Sequence, residues 1–524
     1  MKYLKYIFIA AAFTTTFAGC DMSDFGDINE SPNSPTKGYN TMLFTRACEY
    51  VPNFIMNSAT YDPWTQEYPG YVAEAKNNQF GALQTTYTFT FGGYFLGPIR
   101  NLNLIISQCE GDATKNTLAA TSFGDTNNQI AAAKTLRAFL YMTMTDIVGP
   151  MPYSEAFQGE SLDNWLPAFD SQESIYKALD ADLQSAFKQF NTASNLTDDD
   201  VIYGGNTAKW KKFNAVLRMM MAIKMADVDP TNGKARFAQA YADGGFASNG
   251  DSFNWTYDTN SNCTFYTIGN KGYTARGLGY GPNEVVVNML KEYKDNRLLK
   301  YFELNGYLGD HSQGVDQSKL SYGVSDAMDA QINSLFLGIP FGLASNNDVT
   351  AAAAKACSVA QDPYCQMTAT YGVITYSRML LVEAEAAEYG WISADPKALY
   401  EAGVKASFAE RGATGADAYL ATAKVALSSD KATAIKQIVT QRYLGGFLND
   451  GIEIWSDWRR FNIPVIPINV EPAKYDIKVY PYRMSYGDND VLYDKDAADK
   501  AIQTYLGGKD SRWSRVWWDT KDNI

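Results

Sequence analysis

The sequence predicts a mostly α-helical protein, assembled from tetratricopeptide-like helix pairs and carrying long loop-rich insertions. Three observations lead there. Apolar residues recur at helical spacing in most segments, whereas strand-like alternation appears only in patches. The helical segments follow one another across short turns, at irregular intervals rather than in a clean repeat of about 34 residues. Between them lie two stretches, residues 60 to 95 and 251 to 282, that crowd Trp, Tyr and Phe among Asn, Thr and Gly without helical periodicity. With 524 residues, 46% of them apolar and 20% charged, the chain can bury a large core, and no Pro/Ser-rich tract inside it marks a domain boundary.

The first element is a secretory signal. Met1 to Gly19 starts with Lys2 and Lys5, continues as an apolar run from Tyr6 to Ala12, and ends in Ala18 and Gly19 before Cys20. The run is shorter than the roughly 20 residues a bilayer-spanning helix needs, so cleavage is expected. Phe17-Ala18-Gly19-Cys20 resembles a bacterial lipobox, which implies lipidation of Cys20 as the first residue of the mature chain. Each buried acyl methylene then contributes about 0.8 kcal/mol of anchoring. Residues 21 to 37 carry Asp21, Asp24, Asp27 and Glu30 with Pro32 and Pro35, a composition that favours an extended tether over a fold. The expected organisation is a signal over 1–19, an acylated cysteine and tether over 20–37, and one domain over 38–524.

Helices follow in order. Leu136, Phe139, Leu140, Thr143, Met144 and Ile147 share a face between Ile130 and Val148, and Gly149-Pro150 stops that helix. Ile175, Leu179, Leu183, Ala186, Phe187 and Phe190 repeat the rhythm from Asp170 to Phe190. Trp210, Phe213, Leu217, Met220, Met221 and Met225 do so from Thr207 to Asp227, where a methionine stripe signals core packing. The pattern predicts another helix over Tyr371 to Gly390, with Tyr376, Met379, Leu380, Ala384 and Ala387 on one face. Its partner starts near Ser393-Ala394-Asp395-Pro396, where Ser393 or Asp395 can cap and proline suits a first turn. A last pair spans Asp430 to Leu448 and Ile452 to Phe461.

Composition excludes much chemistry. A formal charge of −13 argues against nucleic acid or anionic lipid as partner. The one histidine, His311, lies in a polar stretch from Gly309 to Gly314 and is expected to be a solvated loop residue, which removes HExxH sites and most histidine-base designs. There is no GxSxG elbow and no GxxxxGK[ST] loop, and Gly277-Leu278-Gly279-Tyr280-Gly281-Pro282 lacks the helix start that phosphate binding requires. It is expected to be a loop. Six cysteines leave five once Cys20 is acylated, so no disulfide framework is expected, and Cys357 and Cys365 either close a small loop or stay as thiols. No CxxC suggests zinc. Asp198-Asp199-Asp200 and the series Asp488, Asp490, Asp494, Asp496 could hold structural calcium but lack EF-hand spacing, so capping or solvated roles are expected and no cofactor is assigned.

Several segments together resemble the SusD/RagB family, and within it the second SusD-like subfamily. Arg137-Ala138-Phe139-Leu140-Tyr141 with Asp146-Ile147-Val148-Gly149-Pro150-Met151-Pro152-Tyr153-Ser154-Glu155-Ala156 resembles the family's first long helix and its exit turn. Tyr376 to Ala386, Gln441-Arg442-Tyr443 and Glu453 to Phe461 resemble its late helices, and Tyr480 to Met484 with Ser514 to Asp519 resemble its ending. A glutamate usually stands where this chain has Gln441.

The resemblance implies a SusD-like fold of four tetratricopeptide-like pairs, no catalysis, and a lipid-anchored position on the outer membrane facing the cell exterior. It also implies delivery of captured oligosaccharide to a TonB-dependent, SusC-like transporter, with a loop-built ligand surface. Sugar rings present apolar C–H faces, which flat aromatics cover. The candidates are therefore Trp64, Tyr68 and Tyr71 in one cluster, with Asn77, Asn78 and Gln79 for hydroxyls, and Trp255, Tyr257 and Tyr273 in the other; the alternative for each is loop packing. Peptide capture in the same transporter-lid role, and a surface glycosidase using two carboxylates, are the competing functions.

Overall fold

The computed structural model describes residues 38–54, 64–74, 88–159, 165–259, 280–305, 314–339, 362–466 and 481–521. The signal, Cys20, the tether, His311 and Cys357 lie outside the described residues. The fold is mostly helical, as the sequence predicts, and local chemistry explains where each helix begins.

Asn40–Cys48 (α1) and Arg100–Glu110 (α2) precede the long helix Thr126–Val148 (α3), whose Asp125 accepts the free N–H groups of Asn127 and Asn128. Gly149, at φ +80°, ends α3. Ser171 caps Gln172–Gln189 (α4), Asn206 caps Thr207–Lys224 (α5), and Asp229 with Pro230 in the first turn opens Pro230–Asp243 (α6). Glu284–Glu292 (α7) and Asp326–Leu335 (α8) come next. Thr375 caps Tyr376–Glu388 (α9), Asp395 rather than Ser393 caps Pro396–Glu410 (α10), and Asp430 caps Lys431–Gly445 (α11). Gly451–Phe461 (α12), Asp488–Leu492 (α13) and Lys495–Tyr505 (α14) complete the series. Successive helices pack as pairs: α3 with α4, α5 with α6, α9 with α10, and α11 with α12.

Two sequence expectations are corrected. Residues 371 to 374 are strand, not helix: Thr370–Ile374 pairs antiparallel with Phe253–Thr256, because a β-branched and aromatic run suits a pleated surface better than a helix turn. Tyr280–Pro282 is likewise a short strand, antiparallel to Val72–Glu74, rather than a loop. The aromatic stretches thus contribute the short strands Val72–Glu74, Phe253–Thr256 and Tyr280–Pro282.

One cluster of buried side chains runs from Phe44 to Trp518. Through it passes a chain of buried ion pairs. Asp146 on α3 meets Lys224 Nζ on α5 at 2.6 Å, and Lys224 meets Glu453 on α12 at 2.6 Å. Arg378 on α9 joins Glu453 at 3.5 Å to Asp457 at 2.8 Å, and Arg442 on α11 joins Asp457 at 3.0 Å to Glu385 at 2.6 Å. Arg460 closes the chain on Glu385 at 2.6 Å. Burial pushes the Glu385 and Asp457 carboxyls up, but the surrounding guanidinium groups outweigh it and hold both below the ordinary carboxylate range. Asp200, from the acidic run, is buried and accepts Trp210 Nε1 at 2.7 Å with the N–H groups of Ile202, Tyr203 and Gly205, so it organises a turn.

Glu383 behaves oppositely. Desolvation alone pushes this buried α9 carboxyl up to about 7. The folded state therefore holds the proton more tightly than the unfolded chain, and stability falls as pH rises from the usual glutamate range towards 7, then levels off. Glu383→Gln is expected to be nearly neutral around pH 4 and to stabilise by about 1–3 kcal/mol near pH 8. Urea midpoints at the two pH values check this; identical shifts at both would contradict it.

Candidate functional site

The exit of α3 builds the site. After Gly149 the chain forms Met151–Pro152, which pairs antiparallel with Phe169–Asp170, and the described residues 153–159 and 165–168 form an excursion between them. Its base is closed by Asp170, which accepts the Ser154 N–H at 2.7 Å and the Ser154 hydroxyl at 2.9 Å, while Glu155 Oε2 accepts the Ala168 N–H at 2.8 Å. Thr88–Phe89 pairs in parallel with Ser485–Tyr486, which sets the turns at 91 to 96 beside α13. Asp490 fastens these two walls by accepting the N–H of Phe91 at 2.8 Å and of Gly92 at 3.2 Å. Arg483 anchors the C-terminal wall to α3, its Nε donating to the Val148 carbonyl at 3.0 Å, and Tyr486 donates its hydroxyl to the Pro150 carbonyl at 2.6 Å.

Between the walls lies a groove of about 640 Å³. That is ample for a small ligand, since such clefts span roughly 300–1,000 Å³. Its floor is apolar: Phe91 and Phe169 are buried with rings 6.0 Å apart, and Pro152 lies beside them. Its rim is aromatic and wet. Trp165 is 72% exposed, Tyr493 81% and Leu96 74%. Phe157, half in solvent, stacks on Phe95 at 5.7 Å. A bulky residue at φ +65° costs about 1–3 kcal/mol, and such strain collects at ligand sites. Gly159 has a second role, because a Cβ there would stand 2.6 Å from the Trp165 ring, so only glycine lets the indole lie against this backbone. Asn489, Glu155 and Asp494 supply the polar edge. Burial pushes both Asp490 and Asp494 up, with Asp496 and Glu155 adding repulsion at Asp494.

The predicted site residues stand elsewhere. Trp64, Tyr68, Tyr71, Trp255 and Tyr257 are all buried, at 6% exposure or less. Tyr68 stacks on Trp455 at 4.8 Å with Trp64 edge-on at 5.8 Å, and Tyr71 stacks on Tyr443 at 4.8 Å while donating its hydroxyl to the Tyr443 carbonyl at 2.5 Å. Trp255 meets Tyr257 edge-on, and Tyr257 meets Tyr371. Protein neighbours cover these rings, so packing is the role the structure gives these five. Asn77, Asn78, Gln79 and Tyr273 lie outside the described residues. The residues that sequence reasoning missed are Trp165, Phe157 and Tyr493. The signal for Trp165 was present: a lone tryptophan directly after Asp163-Asn164 in a mostly polar stretch.

Among the described residues, no helix is long and apolar enough to cross a membrane, and no group of three His, Cys, Asp or Glu is placed to hold a metal ion.

Comparison with known proteins adds three findings. A family model described as "Starch-binding associating with outer membrane" matches residues 32–487. No curated protein matches the chain. Among solved structures, the chain is similar to a SusD homolog from Bacteroides fragilis at 22% identity and a TM-score of 0.74, covering 91% of this chain and 99% of that one. A SusD homolog from Bacteroides uniformis matches at 21% identity and a TM-score of 0.74, with 93% and 100% covered. A chitin-binding SusD homolog from Flavobacterium johnsoniae matches at 20% identity and a TM-score of 0.68, with 93% and 98% covered.

Proposed function

The chain belongs to the SusD-like family, and from that premise we propose that it captures oligosaccharides in the groove of Trp165, Phe157 and Tyr493 and passes them to a partner transporter. One observation carries the reading: large aromatic faces stand in solvent around an apolar floor, with amide and carboxylate oxygens at the edge. That arrangement covers the C–H face of a sugar while acceptors meet its hydroxyls. The family description supports glycan over peptide, and the chitin-binding neighbour makes chitin oligosaccharides, beside those of starch, the first ligands to try.

In this reading the protein binds and does not cleave. Lipid on Cys20 and the tether to residue 37 would hold it to the outer membrane, and a TonB-dependent, SusC-like channel would be its partner, raising the effective concentration of weakly bound ligand. Calorimetric titration of the protein with chitin and starch oligosaccharides and with a mixed peptide digest tests the ligand class. Heat from one sugar series with no release of reducing ends is expected. Heat from peptides alone would move the assignment to peptide capture, and reducing-end release would move it to a glycosidase.

A further inference from the structure

We propose that the groove prefers oligosaccharides bearing free amines, such as oligomers of glucosamine, over their acetylated counterparts and over acidic sugars. The inference rests on the glycan reading above and adds the charge of the ligand. Glu155, Asp490 and Asp494 line the groove, and no Lys, Arg or His is among its described lining residues. The three acids differ in how far they are already satisfied. Asp490 is committed to the N–H groups of Phe91 and Gly92, which share its charge. Glu155 Oε2 accepts the Ala168 N–H, and the Asp494 carboxylate faces the Ala497 N–H while its Oδ2 is buried with no hydrogen-bond partner among the described residues.

Asp494 also stands in the field of Asp496 and Glu155, and this repulsion together with burial raises its cost of ionisation. An ammonium group entering the groove would relieve that repulsion. The same cation is attracted by the faces of Trp165 and Tyr493, since an aromatic ring is negative on its face. An acetylated amine offers neither gain, and a uronate adds a fourth negative charge.

The test is calorimetric titration of the protein with glucosamine hexamer, N-acetylglucosamine hexamer, a uronate oligomer and a lysine-rich peptide. Mildly acidic buffer keeps the sugar amines protonated. At low ionic strength the amine oligomer is expected to bind about tenfold tighter than the acetylated one, with the uronate silent, and high salt should shrink the ratio. Asp494→Asn and, separately, Glu155→Gln should each narrow it. Asp494 stands at the N-cap position of α14 without a side-chain capping bond, and asparagine suits that position as well as aspartate, so the first variant is expected to keep its fold.

Equal affinity for the two hexamers, both lost in Trp165→Ala, would overturn the charge preference and leave the groove as a glycan site. Silence from every sugar would overturn both readings, and binding of the lysine peptide alone would replace the sugar with a basic peptide.

Discussion

Asp146→Ala is expected to lower stability by about 3–5 kcal/mol, the range for removing one partner from a buried charge pair. The carboxylate receives Lys224 Nζ at 2.6 Å, the Tyr176 hydroxyl at 2.5 Å, Trp518 Nε1 at 2.7 Å and Gln172 Nε2 at 3.2 Å, with no exposure to solvent. Alanine leaves the Tyr176 hydroxyl and Trp518 Nε1 facing a void, and leaves Lys224 only Glu453 and Gln172 Nε2 only the Thr145 carbonyl. These donors come from α4, α5 and the C-terminal tail, so the loss spreads across the first two helix pairs and the wall that carries Tyr486. Asp146→Asn should cost less, because the amide oxygen still accepts while the charge opposite Lys224 is gone. Urea unfolding of the three proteins checks the order. A loss below about 1 kcal/mol in the alanine variant would mean that Glu453 alone satisfies Lys224.

The same chain of charges sets an acid limit. Glu385 and Asp457 titrate lower in the folded state than in the unfolded chain. Their contribution is complete above the ordinary carboxylate range and lost as pH falls through the folded values, opposite in direction to Glu383.

This network also explains how much of the fold could be read from the residues. Helix positions were legible, because an apolar stripe and a capping side chain are local signals: Asp395, one of the two expected caps, precedes Pro396, and the helix expected from Asp430 starts at Lys431. The network was not. A single sequence gives charged residues a surface prior, and Asp146, Arg378, Glu385, Arg442 and Glu453 find their partners on other helices. Yet these residues sit in the segments that carry the family resemblance. Four of the motifs thus meet in one buried ion-pair chain.

The strand over 370–374 was missed for a related reason: its pairing partner at 253–256 lies more than a hundred residues away, so no local period could reveal it. The site was less legible than the fold. A cluster of aromatic residues looks the same in sequence whether its rings face water or each other. Trp64 and Tyr68 face each other and Trp455 of α12, and Tyr71 faces Tyr443 of α11, so all three rings are buried.

The groove reading stands on a contrast between two tryptophans. Trp165→Ala removes a ring that is 72% exposed, so stability should stay within about 0.5 kcal/mol of the parent. If that ring carries sugar, affinity should fall by about 1–2 kcal/mol, roughly five- to thirtyfold. Trp64→Ala removes a ring that is 5% exposed and set edge-on to Tyr68 in the stack on Trp455, so it should cost about 3–5 kcal/mol of stability. Affinity in whatever fraction remains folded should be unchanged, because Trp64 does not line the groove. Paired calorimetry and urea unfolding on both variants separate the two roles. An affinity loss in Trp64→Ala with none in Trp165→Ala would return the site to the segment around residues 60 to 95. Loss in Trp165→Ala alone would place it between the excursion after α3 and α13, where the left-handed Phe157 and the bare backbone of Gly159 hold the rings open.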